Sequence, residues 1–357
     1  MTGSSNFLRV LLACLLALGV AGQSSAQEMI KMYGPENANQ TLILRSTTDI
    51  SVFGPVVDDF VRTRPGVNLR YEQWGSNGLY QLTRKECREG QPGADIVISS
   101  GVHQMVQLVN DACARSYQSR LTERLPQALK WRDELFGITR EPAVIVYNRD
   151  LVPAVDIPKT RFDLLDLLRP ADTPYAGKVA TYDIEQSGLG YLFAFADAQE
   201  ASTFGALQES LGRSQAIATC CSADIIQGVA EGQYLIAYNV LGSYAQGFQQ
   251  RDDRIGIVLP SDYTLVLSRA LLIPKQAENP GLAAEFLDFL LSPGGTLALR
   301  TALLISPMLD SEEGNEGEVL NSTARRPIGL SPALMVALDA LTRETFLRRW
   351  RTTFPGQ

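Results

Sequence analysis

At four places in the chain a short apolar run gives way to small polar residues and then to a helical repeat. "TLILRSTTDIS" (41–51) leads into Val52, Phe53, Val56, Val57, Phe60 and Val61, which share one helical face. "ADIVISSG" (94–101) leads into Met105, Val106, Leu108 and Val109. "GKVATYDIEQSGLGYLFAFADA" (177–198) and "AIATCCSADIIQGVAEG" (216–232) repeat the order. Strands and helices alternating over connections this short imply a parallel sheet with right-handed crossovers. Ligands of such sheets bind beyond the carboxyl ends of the strands, where helix N-termini offer free N–H groups. Ser, Thr and Asp at a single hand-over are ordinary caps. Their recurrence at strand ends points to one shared crevice.

Further strands are expected at "VNLRYE" (67–72), "AVIVYNRDLV" (143–152), "RIGIVLP" (254–260) and "LVLSRALLIP" (265–274). "WGSNG" (74–78) is a loop before a helix that reaches about Cys87. "QYLIAYNVLGSYAQGF" (233–248) is a strand running into a turn or helix start. Asn279 and Pro280 open the helix "LAAEFLDFLL", "SPGG" (292–295) ends it, and residues 332–350 are helical with a basic end. Residues 27–40 are polar and aperiodic, a loose segment. No repeat or flexible linker interrupts the chain. The expected fold is α/β and two-lobed, with extended segments crossing between the lobes at a hinge beside a cleft. Residues 41–139 and 266–306 form one lobe, and residues 140–265 and 307–357 the other.

The N-terminus reads as a signal peptide over residues 1–26. Arg9 precedes the apolar run Val10–Val20, and "SSA" (24–26) places small residues before a cut at Gln27. The run is shorter than a membrane span, so the mature protein is expected to be exported and soluble. A net charge of −7 argues against a nucleic-acid partner. Four cysteines follow the signal, and an exported compartment permits disulfides. They allow three pairings. Bridging the neighbours Cys220 and Cys221 is strained, while Cys87 and Cys113 flank one expected strand and are the favoured pair.

The pieces "LILRSTTD", "ADIVISS", "AVIVYNRDLV", "AGKVATYDIEQSGLGY", "VAEGQYLIAYNV" and "IPKQAENPGLAAEFLDFLLSPGG" span most of residues 41–300. In that order the chain resembles the iron- or phosphonate-type extracellular solute-binding proteins of bacterial ABC importers, of the type II periplasmic-binding fold. The resemblance implies a periplasmic, monomeric protein that captures a small molecule or ion and delivers it to an inner-membrane permease. It implies no catalytic residue, cofactor or resident metal. It puts ligand contacts at Ser46 and Thr47, Ser99 and Ser100, Ser187 and Gly188, and Tyr238 and Asn239; Asn77 and Tyr263 join them as candidates at neighbouring loops. Iron-binding relatives carry two adjacent tyrosines just after the strand that holds Asn239. Here that place reads "VLG", with Tyr244 alone nearby. A cleft of hydroxyls, amides and helix N-termini suits an oxyanion better, with Arg45 or Arg269 as possible added charge. The tail "RRPIGLSP" with "FLRRW" resembles a subgroup associated with sensor kinases, so a sensing adaptor is an alternative, as is a ferric-ion carrier.

An enzyme reading has little to use. His103 is the only histidine, so any Ser–His–Asp or Cys–His site has to include it. A histidine bonded to solvent or backbone at a helix start is the plainer reading. There is no zinc pattern and no Gly-rich phosphate loop with its lysine. A secreted hydrolase built on a pair of cleft carboxylates stays open. Trp74, Tyr182, Tyr238 and Tyr263 lie near expected strand ends, where they either stack on a ligand or pack the lobes. Asp262 either meets ligand or makes the turn.

Overall fold

Alternating burial defines the strand over residues 40–46 and a 3.6-residue stripe the helix that follows it. Leu42 and Leu44 are fully buried, and so are Phe53, Val56, Val57 and Phe60. Truncating Phe60 to Ala costs about 3–5 kcal/mol. Pro55 is the sixth residue of this helix, inside it, so its missing N–H forgoes one i→i−4 bond, to the Ser51 carbonyl. This computed structural model describes residues 27–310 and 324–354. The signal peptide expected over 1–26 lies outside the described residues.

In chain order come β1 (Gln27–Tyr33), β2 (Gln40–Ser46), α1 (Ile50–Arg62), β3 (Val67–Trp74), α2 (Ser76–Glu89), β4 (Ile96–Ser99) and α3 (Val102–Asn110). The short β5 (Lys130–Trp131) and β6 (Leu135–Gly137) lead into β7 (Glu141–Asn148), α4 (Arg161–Leu168) and β8 (Val179–Tyr182). Then follow α5 (Gly188–Glu200), α6 (Phe204–Arg213), β9 (Ile217–Thr219), α7 (Ser222–Ala230), β10 (Ile236–Leu241) and α8 (Gly242–Gln249). The chain continues through β11 (Ile255–Val258), β12 (Thr264–Leu267), β13 (Ala270–Leu272), α9 (Pro280–Leu291), α10 (Pro293–Thr301), β14 (Arg325–Pro327) and α11 (Ala340–Thr353).

These strands make two sheets, ordered β1-β3-β2-β4-β13-β6-β5 and β14-β12-β7-β10-β8-β9, with β11 beside β7. Both are mixed. β2 runs parallel to β3 and β4, while β13 is antiparallel to β4 and β6. The chain crosses between the sheets three times, after β6, after β12 and between β13 and β14. The first two crossings lie side by side, with the Ile138 N–H donating to the Arg269 carbonyl at 2.9 Å.

Four expectations need correction. Residues 27–33 are a strand, because β1 pairs antiparallel with β3 along the sheet edge. The run 265–274 is two strands in different sheets, broken at Ser268 and Arg269 where the chain passes between lobes. "SPGG" ends α9 and also starts α10, since Ser292 accepts from Gly295 N. The C-terminal run is a 3-10 segment, Pro332–Leu338, followed by α11 with Asp339 as its cap.

Cys87, at the end of α2, is bonded to Cys113, just past α3, with Cα atoms 5.4 Å apart. A link across 26 positions stabilises by roughly 3.5 kcal/mol in the chain-entropy picture. Cys220 and Cys221 are also bonded to each other, contrary to the expectation from sequence. The peptide link holds their Cα atoms 3.7 Å apart, and the ring they close fits the turn between β9 and α7.

Candidate ligand-binding cleft

A cavity of about 530 Å³ lies between the two sheets. The first lobe contributes the ends of β2 and β3 and the start of α2; the second contributes the ends of β8 and β10 and the starts of α5, α7 and α8. At the ends of β2 and β4 the hydroxyls divide their work. Ser46 Oγ accepts from Thr48 N at 3.0 Å, and Ser99 Oγ accepts from Gly101 N at 3.0 Å. Both are buried and close the local turn. The next residues face the cavity, and Thr47 Oγ1 and Ser100 Oγ lie 3.1 Å apart. Thr47, Asn77, Ser100 and Ser187 line the cavity; Ser46, Ser99 and Gly188 do not.

Of the helices that begin at the cleft, α5 is capped, since Ser187 Oγ accepts from Gly190 N at 3.0 Å, and four others are left open. α1, α2, α7 and α8 follow Asp49, Gly75, Cys221 and Leu241, and none has a side-chain cap bond. α4 and α11, away from the cavity, are capped by Thr160 and Asp339. Uncapped N–H groups at the positive end of a helix dipole suit an anion. Two are already used: Ile50 N donates to Gln73 Oε1 at 2.8 Å, and Asp49 N to Tyr244 Oη at 3.2 Å.

The lobes touch across the cavity. Asn77 Nδ2 donates to the Glu185 and Gln186 carbonyls at 3.0 and 2.9 Å. Gly188 N donates to Ser76 Oγ at 2.8 Å. A Cβ at position 188 would lie 2.9 Å from that Oγ and 3.0 Å from Asn77 Oδ1, so glycine permits the approach. Gly188 thus serves closure, and its amide is not free.

Arg269 lies under the cavity. Its Nε donates to Glu141 Oε1 at 2.8 Å and Nη1 to Thr48 Oγ1 at 3.0 Å. Burial opposes the charge on its own, but Glu141 holds the guanidinium protonated. Ser243 also bonds Glu141. Arg45 points elsewhere, paired with Glu72 and Glu86. The cavity also has two carboxylates, Glu28 and Asp49, on the first-lobe side. Burial pushes the Asp49 carboxyl up, and Arg269 partly offsets this. Trp74, Tyr182 and Tyr244 supply aromatic wall, with the Tyr182 hydroxyl bonded to Ser222.

Tyr238, Asn239 and Tyr263 are not at the cavity. They converge inside the second lobe on Asp197, which accepts from Tyr238 Oη at 2.6 Å, Asn239 Nδ2 at 2.8 Å and Tyr263 Oη at 2.9 Å. Arg161 Nη2 completes the set at 3.0 Å, and Asp262 pairs with Arg161. The reason is local. Asn239 has φ of +65°, and the pairing of β10 with β7 slips between Ala237 and Val240. This bulge sends two successive side chains to one side. β10 then continues to Leu241, so the cleft residue of that turn is Tyr244.

His103 is buried in α3, away from the cavity, with its ring centroid 5.7 Å from that of Tyr191. Reasoning from sequence missed Glu28, Ser76, Ser222 and the Cys220–Cys221 pair as cavity residues. A hydroxyl directly after "CC" or "WG" at a helix start was the available signal for Ser222 and Ser76.

A family model described as "Bacterial extracellular solute-binding protein" matches residues 46–297. The substrate-binding protein of an ABC transporter from Agrobacterium tumefaciens is 30% identical, with a TM-score of 0.85 over 91% of this chain and 98% of that one. AfuA from Actinobacillus pleuropneumoniae, solved with fructose-6-phosphate bound, is 16% identical with a TM-score of 0.68 over 90% and 100%. Iron-bound HitA from Pseudomonas aeruginosa is 16% identical with a TM-score of 0.65 over 88% and 99%. These last two share the fold. No curated protein sequence matches the chain. With the family model covering more than half of its length, the chain belongs to the bacterial extracellular solute-binding proteins of ABC transporters.

Proposed function

We propose that this protein is the periplasmic component of an ABC importer that closes two lobes over a small oxyanion and hands it to an inner-membrane permease. The supporting observation is the interlobe cavity ringed by Thr47, Asn77, Ser100 and Ser187 and by helix starts without side-chain caps. The two lobes move as the two bodies, hinged at the crossings near Ile138 and Arg269, with Val266 and Leu267 of β12 on the second-lobe side rather than the first. Bonds such as Asn77 to Gln186 form only on closure, so a ligand that touches both lobes shifts the population toward the closed state. Arg269 is committed to Glu141, so the anion is met mainly by neutral donors. Glu28 and Asp49 then face a hydroxyl or ammonium on the same ligand rather than further negative charge.

A ferric carrier is the second reading, favoured by the oxygens of Glu28, Asp49, Tyr182 and Tyr244 around one cavity. Against it, burial pushes both tyrosine hydroxyls up, which opposes the phenolate that ferric iron prefers. Thermal-shift titration with phosphate esters, phosphonates, carboxylates, polyols and ferric ion decides between them. A ligand at a hundred times its Kd adds about 2.7 kcal/mol of stability. A melt moved by ferric ion alone overturns the oxyanion reading.

A further inference from the structure

The Cys220–Cys221 disulfide lies on the wall of the interlobe cavity, half-buried, at the turn into α7. The other disulfide, Cys87–Cys113, ties α2 to α3. A bond between chain neighbours joins no two elements and takes almost no freedom from the unfolded chain. Its use is therefore local. It turns two rotatable thiols into one stiff, polarisable sulfur face that donates no hydrogen bond. The second-lobe wall near it carries Ala223, Leu189 and Leu241, and Trp74 stands on the first lobe. Tyr182 adds its ring, because its hydroxyl is occupied by Ser222. Carbon packed on such a surface gains dispersion contacts and leaves water. Both sulfurs also cluster with Asp224, but a disulfide offers no thiolate to a metal.

We propose that the Cys220–Cys221 disulfide is a ligand-contacting, specificity-determining surface of the cleft. The ligand it selects is an anion on a carbon skeleton whose ring or aliphatic face lies against the sulfurs. A bare inorganic anion or a lone metal ion leaves this wall uncovered. The assignment rests on the cleft being the oxyanion site.

The test is calorimetric titration of the full mature chain and of Cys220→Ala/Cys221→Ala. The probes are inorganic phosphate, glucose 6-phosphate, phenylphosphonate and citrate. At least one skeleton-bearing probe binds the wild type more tightly than phosphate does. That probe loses on the order of tenfold to a hundredfold in the variant, while phosphate affinity stays within about twofold. Phosphine reduction of the wild type, with mass spectrometry showing Cys87–Cys113 intact, gives the same loss without any substitution, which covers a variant that fails to fold. Equal binding of the skeleton-bearing probe to both proteins overturns the role of the disulfide and leaves the cleft reading standing. Phosphate binding as tightly as any other probe overturns the ligand class. If no probe binds the wild type, this assignment and the oxyanion reading fall together.

Discussion

Arg161 and Arg269 are both buried, at 3% and 1% side-chain exposure, and both are paired with a carboxylate. Around Arg161 every group answers another group of the same lobe. Asp197 takes four donors, and the remaining guanidinium nitrogens go to Tyr238, Asp262 and the Tyr263 carbonyl. Around Arg269 the partners come from both sides of the hinge: Glu141 begins β7, Thr48 follows β2, and Ser243 lies in α8. The first network is closed and has no room for a ligand. The second is the floor of a cavity. A cluster of tyrosines, an amide and an acid therefore does not mark a binding site by composition. What marks one, on the closure proposed above, is that its polar atoms are shared between the two lobes.

Removing the acid from the closed network separates the two arginine sites most strongly. Asp197→Ala leaves a buried guanidinium and three donors without their acceptor, and should cost about 3–5 kcal/mol in urea unfolding. Ligand affinity of the folded fraction should not move. A change in affinity would place the Arg161 network at the binding site after all.

Arg269→Met should be nearly as costly, about 3 kcal/mol, because Glu141 is left charged at 0% exposure. Unlike the first variant, it should also weaken ligand binding, by about tenfold, since Thr47 and Thr48 lose their anchor. Normal affinity in a folded Arg269→Met protein would reduce the floor to a second structural network. Adding Glu141→Leu should recover much of the stability and none of the affinity.

Asn77 isolates the sharing itself. Its two bonds to the second lobe are worth about 1 kcal/mol each, so Asn77→Ala should lower affinity roughly 5- to 30-fold. Unfolding of the ligand-free protein should become easier by only about 1 kcal/mol, because Asn77 Oδ1 also accepts from the buried Gln104 Nε2 at 2.8 Å within the first lobe. Small-angle scattering with saturating ligand should show the wild type compacting more readily than the variant.

Much of this fold was legible in the sequence, because periodicity is a backbone-scale signal. The apolar stripe of α1, the buried run of β4 and the Asn279–Pro280 helix start read directly from residue spacing. The hydroxyl turns at Thr47, Ser100 and Ser187 were legible for the same reason, since Thr47 and Ser100 directly follow a strand and Ser187 stands at the start of the next helical repeat. Tyr238 and Asn239 misled because a bulge shifts side-chain direction without changing composition. Arg269 read as one of two basic candidates, and only the meeting of β2, β7 and α8 distinguishes it from Arg45. Glu28 was lost with β1, an edge strand whose Met29, Ile30 and Met32 remain exposed. Such a strand has no buried face to announce it.

His103 supplies the last and smallest test, as a buried base with one ring nitrogen left unbonded. Its Nδ1 is buried without a hydrogen bond, between α3 of the first lobe and Tyr191 of the second. Burial, with a smaller push from the Arg343 charge, brings its pKa down to about 3. The unfolded chain, with an ordinary histidine near 6.5, therefore binds the proton more readily than the folded one. Stability is full above about pH 6.5 and falls as pH drops toward 3, by about 1.4 kcal/mol between pH 7.5 and 5.5. Urea unfolding at those two values should show this loss in the wild type, and His103→Phe should lack it. Because the ring sits where the two lobes meet, acid should also weaken closure before it unfolds either lobe, seen as lower ligand affinity at pH 5.5 in the wild type alone. An equal acid loss in His103→Phe would take the pH dependence away from this ring and leave the lobe contact at α3 insensitive to acid.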